Sequence, residues 1–147
     1  FQDLIMPAEN ISVTLAYPPK PGKKYFNSEE ANEALPYVSR VVGDITSYYR
    51  LAVQIRQQIE RPGVDDDTEQ LRVEYESVMD RLNALVDELQ QVGVDLKDFE
   101  RGLIDFPCVH ERREICLCWH LGEDVVGAWH EIDAGYAGRQ DVSVLHA

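Results

Sequence analysis

The sequence predicts an α+β fold, a long antiparallel, coiled-coil-like helical hairpin followed by a small antiparallel β-sheet. Two apolar seams at heptad spacing, Leu35 to Ile59 and Leu71 to Val92, predict the hairpin. A change from helical to alternating periodicity after Gly93 predicts the sheet. Three segments follow: an extended arm or linker over 1–24, the hairpin over 25–92, and a β region over 93–147 packed on the hairpin.

The arm carries one β-like run, Ile11-Ser12-Val13-Thr14-Leu15, then a proline-rich stretch from Tyr17 to Lys24 that favours extended backbone. Phe1 to Ile5 read either as a remnant ahead of a start at Met6 or as native chain. Asn27 or Ser28 supplies an N-cap, and Glu30 stands three residues after Asn27, the capping-box spacing. Pro36 removes one intrahelical hydrogen bond, so a kink is expected at Leu35-Pro36, with Glu29 to Leu35 as a separate short turn. Beyond it Val38, Val42, Ile45, Tyr49, Ala52 and Ile59 continue the seam, with Val41, Tyr48 and Ile55 as a second row.

Arg61-Pro62-Gly63-Val64-Asp65 breaks the first helix, and Asp66 or Asp67 caps the next with Glu69 or Gln70 at the reciprocal position. The second seam reads Leu71, Tyr75, Val78, Leu82, Leu85, Leu89 and Val92, with Met79 and Val86 beside it and Gly93 as the stop. Faces this wide need more than one partner helix. The β region could supply the extra layer, and so could a second hairpin closing a four-helix bundle; a homodimer through the hairpin is expected.

Alternation then marks Val94 to Asp98, Leu103 to Phe106, Ile115 to Leu121 and Val125 to Ile132 as short antiparallel strands. The Leu121-Gly122-Glu123-Asp124-Val125 run is the clearest hairpin turn, and Gly135 to Gly138 a flexible loop.

Composition narrows the function classes. Against 14 basic residues stand 27 acidic ones, and the net charge of -13 repels nucleic acid and anionic membranes. Apolar runs such as Ile115-Cys116-Leu117 fall far short of the roughly 20 residues of a bilayer span. The three cysteines, Cys108, Cys116 and Cys118, are an odd number, and reduced thiols in a cytosol are the economical reading. A protein partner for so acidic a surface stays open, as does any cofactor.

The aspartates Asp65 to Asp67 are explained by helix capping and the macrodipole, without a cation. Cys116 and Cys118 could give two thiolates to zinc, but two further ligands are needed and no second pair is spaced to supply them, so buried free cysteine is the simpler reading. Strand register decides the rest. A four-residue β-turn loop would place Cys116, Cys118, Ala128 and His130 on one face, whereas a two-residue loop moves His130 beside Ile115 and Leu117. A histidine beside Asp105 could act as a base or metal ligand. Trp119 and Trp129 read as core or interface anchors, or as a stacking wall for a flat ligand. Arg139 could close on a carboxylate or phosphate, although an internal salt bridge weighs more in this acidic chain. Nucleophile-elbow, phosphate-loop and dinucleotide fingerprints are missing, so whether the chain is an enzyme is open.

Glu29-Glu30-Ala31-Asn32, Leu35-Pro36, Gly93 to Asp98, Arg101 to Pro107, Leu117-Cys118-Trp119, Leu121-Gly122-Glu123, Trp129-His130 and Gly135 to Arg139 together resemble a bacterial family known as domain of unknown function 2203. The likeness runs from about Tyr25 to Gln140 and carries no activity with it. Its pattern is densest where Asp105, Trp119, Glu123, Trp129, His130 and Arg139 mix acid, base and aromatic character. Two functions are expected from these observations: a self-associating interaction or scaffold module, or a metal- or small-ligand-binding protein, enzymatic or not, with those six residues at its site.

Overall fold

The computed structural model describes residues 17–146; the run Ile11-Ser12-Val13-Thr14-Leu15 and the question of Met6 lie outside the described residues. What is described of the arm lies along the sheet. Tyr17 O accepts from Glu114 N at 2.7 Å, and Phe26 N donates to Pro107 O at 2.7 Å. The Lys23 ammonium and the Tyr25 hydroxyl both bind the Glu114 carboxylate, at 2.6 and 2.9 Å.

Helix α1 spans Ser28–Glu60, 33 residues, with Asn27 as N-cap and the full Asn27–Glu30 capping box. At 1.5 Å per residue it is about 50 Å long. The separate turn expected before Pro36 is absent, because Pro36 lies inside one continuous helix. The first turns are held from outside: Asn32 Nδ2 donates to Val126 O at 3.1 Å, and Val126 N donates to Asn32 Oδ1 at 2.8 Å. That pair of bonds offsets the single one Pro36 forfeits.

Helix α2 spans Thr68–Val92, capped by Asp67 onto Gln70 N and closed by Gly93 at φ 98°, a left-handed stop. The two helices pack on each other. Burial deepens towards the sheet: Leu82, Leu85 and Leu89 are buried, whereas Leu71, Tyr75 and Val78 near the connecting loop are only half so. Val41 and Ile55 of the second row are buried within the chain.

The sheet is an antiparallel meander in the order β1 Asp95–Asp98, β2 Leu103–His110, β3 Arg113–His120, β4 Ala128–Glu131 and β5 Gln140–Asp141. Strand β2 runs past Phe106 through Pro107, longer than its alternation foretold. Pro107 is tolerated because its carbonyl turns away from β3 towards Phe26, so the missing N–H takes nothing from the β2–β3 ladder. The β2–β3 turn places Glu111 and Arg112 at φ 51° and 65°, the positive values a two-residue hairpin requires. The β3–β4 connection over 121–127 is longer than a four-residue loop, yet it gives the same pairing, Cys116 with His130 and Cys118 with Ala128.

One core joins both parts. Val38, Val42, Ile45, Leu85 and Leu89 of the hairpin meet Ile104, Phe106, Leu117, Trp119 and Trp129 of the sheet. Phe26 closes it edge-on against Phe106, with ring centroids 5.2 Å apart. At Gly102 the β1–β2 loop touches α1: φ is +63°, and an added Cβ would lie 2.8 Å from Val42 Cγ1 and 3.0 Å from Leu121 Cβ. Gly102→Ala therefore combines a left-handed backbone penalty with overpacking and is expected to cost about 2–4 kcal/mol. Urea denaturation checks this: the midpoint should fall at an unchanged slope, and a midpoint equal to that of the parent would contradict the close approach.

Candidate metal centre

Successive residues of a strand point to opposite sides, so the register assigns each side chain a face. Ile104, Phe106, Leu117, Trp119 and Trp129 share the face turned to the hairpin. Asp105, Cys116, Cys118 and His130 share the other. In an ordinary two-layer fold that outer face would be wet, but here Asp105 and His130 are each 3% exposed, Cys116 8% and Cys118 0%. Part of its cover comes from the chain after β4. There Gly138 packs so tightly against Ala134 that a Cβ would lie 2.4 Å from Ala134 Cβ, and the resulting turn, Tyr136–Gly138, sets Tyr136 at the rim.

Asp105 lies on β2 and His130 on β4, and β3 runs between them. His130 Nε2 nevertheless stands 3.0 Å from Asp105 Oδ1. His130 Nδ1 is fixed at 2.7 Å from Glu131 O, a carbonyl that can only accept. The Asp105 carboxylate, the Cys116 thiol and the His130 imidazole each offer one ligand atom, and these three lie within 4.8 Å of one another. One ion with metal–ligand bonds of about 2.0–2.3 Å could bridge such a set with small side-chain rotations. A pocket of about 340 Å³ leads to them, bordered by Lys97, Glu114, Ile132 and Tyr136.

Both imidazole nitrogens face oxygen acceptors, so the metal-free ring satisfies both by carrying two protons. Its pKa is raised to about 10, first by the bond to Asp105 and then by the Cys118 thiol and the Glu131 carbonyl, with burial opposing. Burial pushes the Cys116 thiol up to about 12, Asp105 adds to the rise and Lys97 works against it. A thiol so protonated is a poor nucleophile near neutrality, which argues against cysteine catalysis in the metal-free protein.

The six residues singled out from the sequence divide into three places. Asp105 and His130 meet each other. Glu123 and Arg139 meet separately, with Arg139 Nη2 at 2.7 and 3.0 Å from the two Glu123 oxygens and 3.3 Å from Cys118 O. That ion pair ties the chain after β4 to the β3–β4 loop, and the Arg101 and Arg139 guanidinium groups lie 4.6 and 4.9 Å from the Tyr136 ring centre. Trp119 and Trp129 are buried on the hairpin face, Trp119 donating its indole N–H to Glu123 O at 3.0 Å. Neither tryptophan borders the pocket, which is lined instead by Cys116, Lys97, Glu114 and Tyr136 from outside the six. Cys116 had a signal in the sequence, since one of the two loop lengths open to the β3–β4 turn puts it beside His130.

The protonated ring gives a pH dependence of definite sign. Folding raises the proton affinity of His130, so the pair stabilises the metal-free fold fully below about 6.5 and less as pH rises through about 10. Chemical denaturation should show stability falling across that alkaline window, and Asp105→Asn should flatten the fall. In NMR the His130 ring protons should not titrate across roughly pH 6 to 8, where an ordinary histidine does; an ordinary titration would contradict the pairing.

Compared with known proteins, no curated protein and no solved structure matches the chain. A family model described as "Uncharacterized conserved protein (DUF2203)" matches residues 24–142, which takes in the hairpin, the four longer strands and every residue of the outer-face cluster. The chain belongs to the DUF2203 family.

Proposed function

We propose that this protein binds a zinc-class divalent metal ion on the outer face of its sheet. The observation that carries the reading is the convergence of a carboxylate, a thiol and an imidazole, from Asp105, Cys116 and His130, within 4.8 Å. Mixed oxygen, sulfur and nitrogen donors suit a borderline cation better than magnesium or calcium, which prefer all-oxygen shells. The clamp from Glu131 O onto His130 Nδ1 supports it further, because metal-ligating histidines commonly donate their other ring nitrogen to a carbonyl or carboxylate and so present a fixed Nε2. Three such ligands leave one position of a tetrahedral ion to fill.

Cohesion alone accounts poorly for this cluster. Desolvating a buried ion pair costs several kcal/mol, about what its attraction returns, and apolar residues of the same volume often serve stability better. A self-associating hairpin is the second reading and has less support, since of the two rows that motivated it Val41 and Ile55 are buried within one chain and Tyr48, Met79 and Val86 pack half-buried against the same core.

Native mass spectrometry of protein purified without chelator is expected to find one zinc or cobalt ion per chain. Cys116→Ser and His130→Ala should each weaken binding at least tenfold, while chelator treatment of the parent should lower its melting temperature. Failure to bind either ion, or equal binding by both variants, would overturn the proposal.

A further inference from the structure

The sheet register carries the metal reading one step further. Across β3, Asp105 pairs with Cys118 while Cys116 pairs with His130, so Asp105 and His130 are offset by one rung on either side of the strand. Their 3.0 Å contact therefore runs diagonally over β3, between the Cys116 and Cys118 side chains, which rise from the same face. Cys116 Sγ lies within 4.8 Å of the Asp105 and His130 ligand atoms, whereas Cys118, directly across the ladder from Asp105 on the same face, stands just outside that set and reaches it by rotation of its side chain. Cys108, the remaining thiol, belongs to the opposite, hairpin-facing side.

We propose that Cys118 is the fourth ligand, so that one zinc-class ion held by Asp105, Cys116, Cys118 and His130 is a closed, tetrahedral structural centre. The proposal rests on the metal reading above and names what fills its last position. Two thiolates, one imidazole and one carboxylate use every tetrahedral position, so no water is left on the ion to be activated, which separates it from open catalytic sites with three protein ligands. Cys118 is the most deeply covered of the four, whereas Cys116 borders the pocket. The ion accordingly arrives past Cys116, and the protons of both thiols and of His130 Nε2 leave to solvent as it binds. Once bound, it joins β2, β3 and β4 by direct bonds across the face that the hairpin does not cover.

Cobalt(II) substituted into the full chain reads the thiolate count, because its sulfur-to-metal charge-transfer absorption grows with each thiolate bound. Cys118→Ser and Cys116→Ser should each halve the intensity per cobalt, the double variant should abolish it, and Cys108→Ser should leave it unchanged. Full intensity in cobalt-loaded Cys118→Ser would overturn the fourth ligand while leaving the three-ligand site standing; no cobalt uptake by the parent would overturn both. Should Cys118→Ser fail to fold, zinc-edge X-ray absorption of the parent decides the same point, with two sulfur neighbours expected and a single one contradicting the inference.

Discussion

The His130–Asp105 contact crosses a whole strand, and it can do so only because β2, β3 and β4 hold one register. A shift of one residue anywhere in that ladder would send His130 and Cys116 into the core and Leu117 or Trp129 out to the pocket. The register is fixed from the apolar side, where Phe106, Leu117 and Trp129 form one row across three strands and bury against the hairpin. Large aromatic and aliphatic side chains of this kind each contribute on the order of 2 kcal/mol by burial. The core thus sets the alignment, and the polar face inherits its geometry.

Around that face the charges are local and paired. Arg139 on Glu123 holds the chain after β4, Arg113 on Glu131 at 2.6 Å braces the strand that carries His130, and Lys23 on Glu114 fixes the arm at the pocket border. Pairs of this kind, partly buried and still reached by solvent, contribute little to stability singly, about 0–1 kcal/mol each. Their position matters more than their strength, since each ties down a different segment: the chain after β4, strand β4 and the arm. The hairpin has a different part. It presents one apolar wall to the sheet, and its far end, where Leu71 and Tyr75 are half-exposed, extends beyond the core.

Local rules made the helices legible: the Asn27–Glu30 box, the Asp67 cap and the Gly93 stop stand where spacing put them. Pro36 misled because the compensating bonds come from Val126, some ninety residues away in sequence and invisible to any local rule. The β2–β3 turn escaped because Glu111 and Arg112 occupy positive φ without the usual asparagine or glycine, so the turn had no residue signature. In the site, Asp105 and His130 were identifiable from residue type. Their convergence with Cys116 was only one of two alternatives, because face assignment in a sheet depends on the parity of the loops, and the β3–β4 connection has no fixed turn chemistry to choose between them. Trp119 and Trp129 fell on the hairpin side for the same reason: parity alone separates them from His130.

Whether the outer face of the sheet holds a metal ion decides between a metal centre and a purely cohesive ion pair at Asp105 and His130. A crystal structure of the zinc-loaded chain, with anomalous scattering recorded on both sides of the zinc edge, answers this in one experiment. A single zinc peak is expected over β3, bounded by Asp105, Cys116, Cys118 and His130, with His130 Nδ1 still on Glu131 O. Zinc elsewhere, or none with the His130–Asp105 contact intact, would contradict the metal centre.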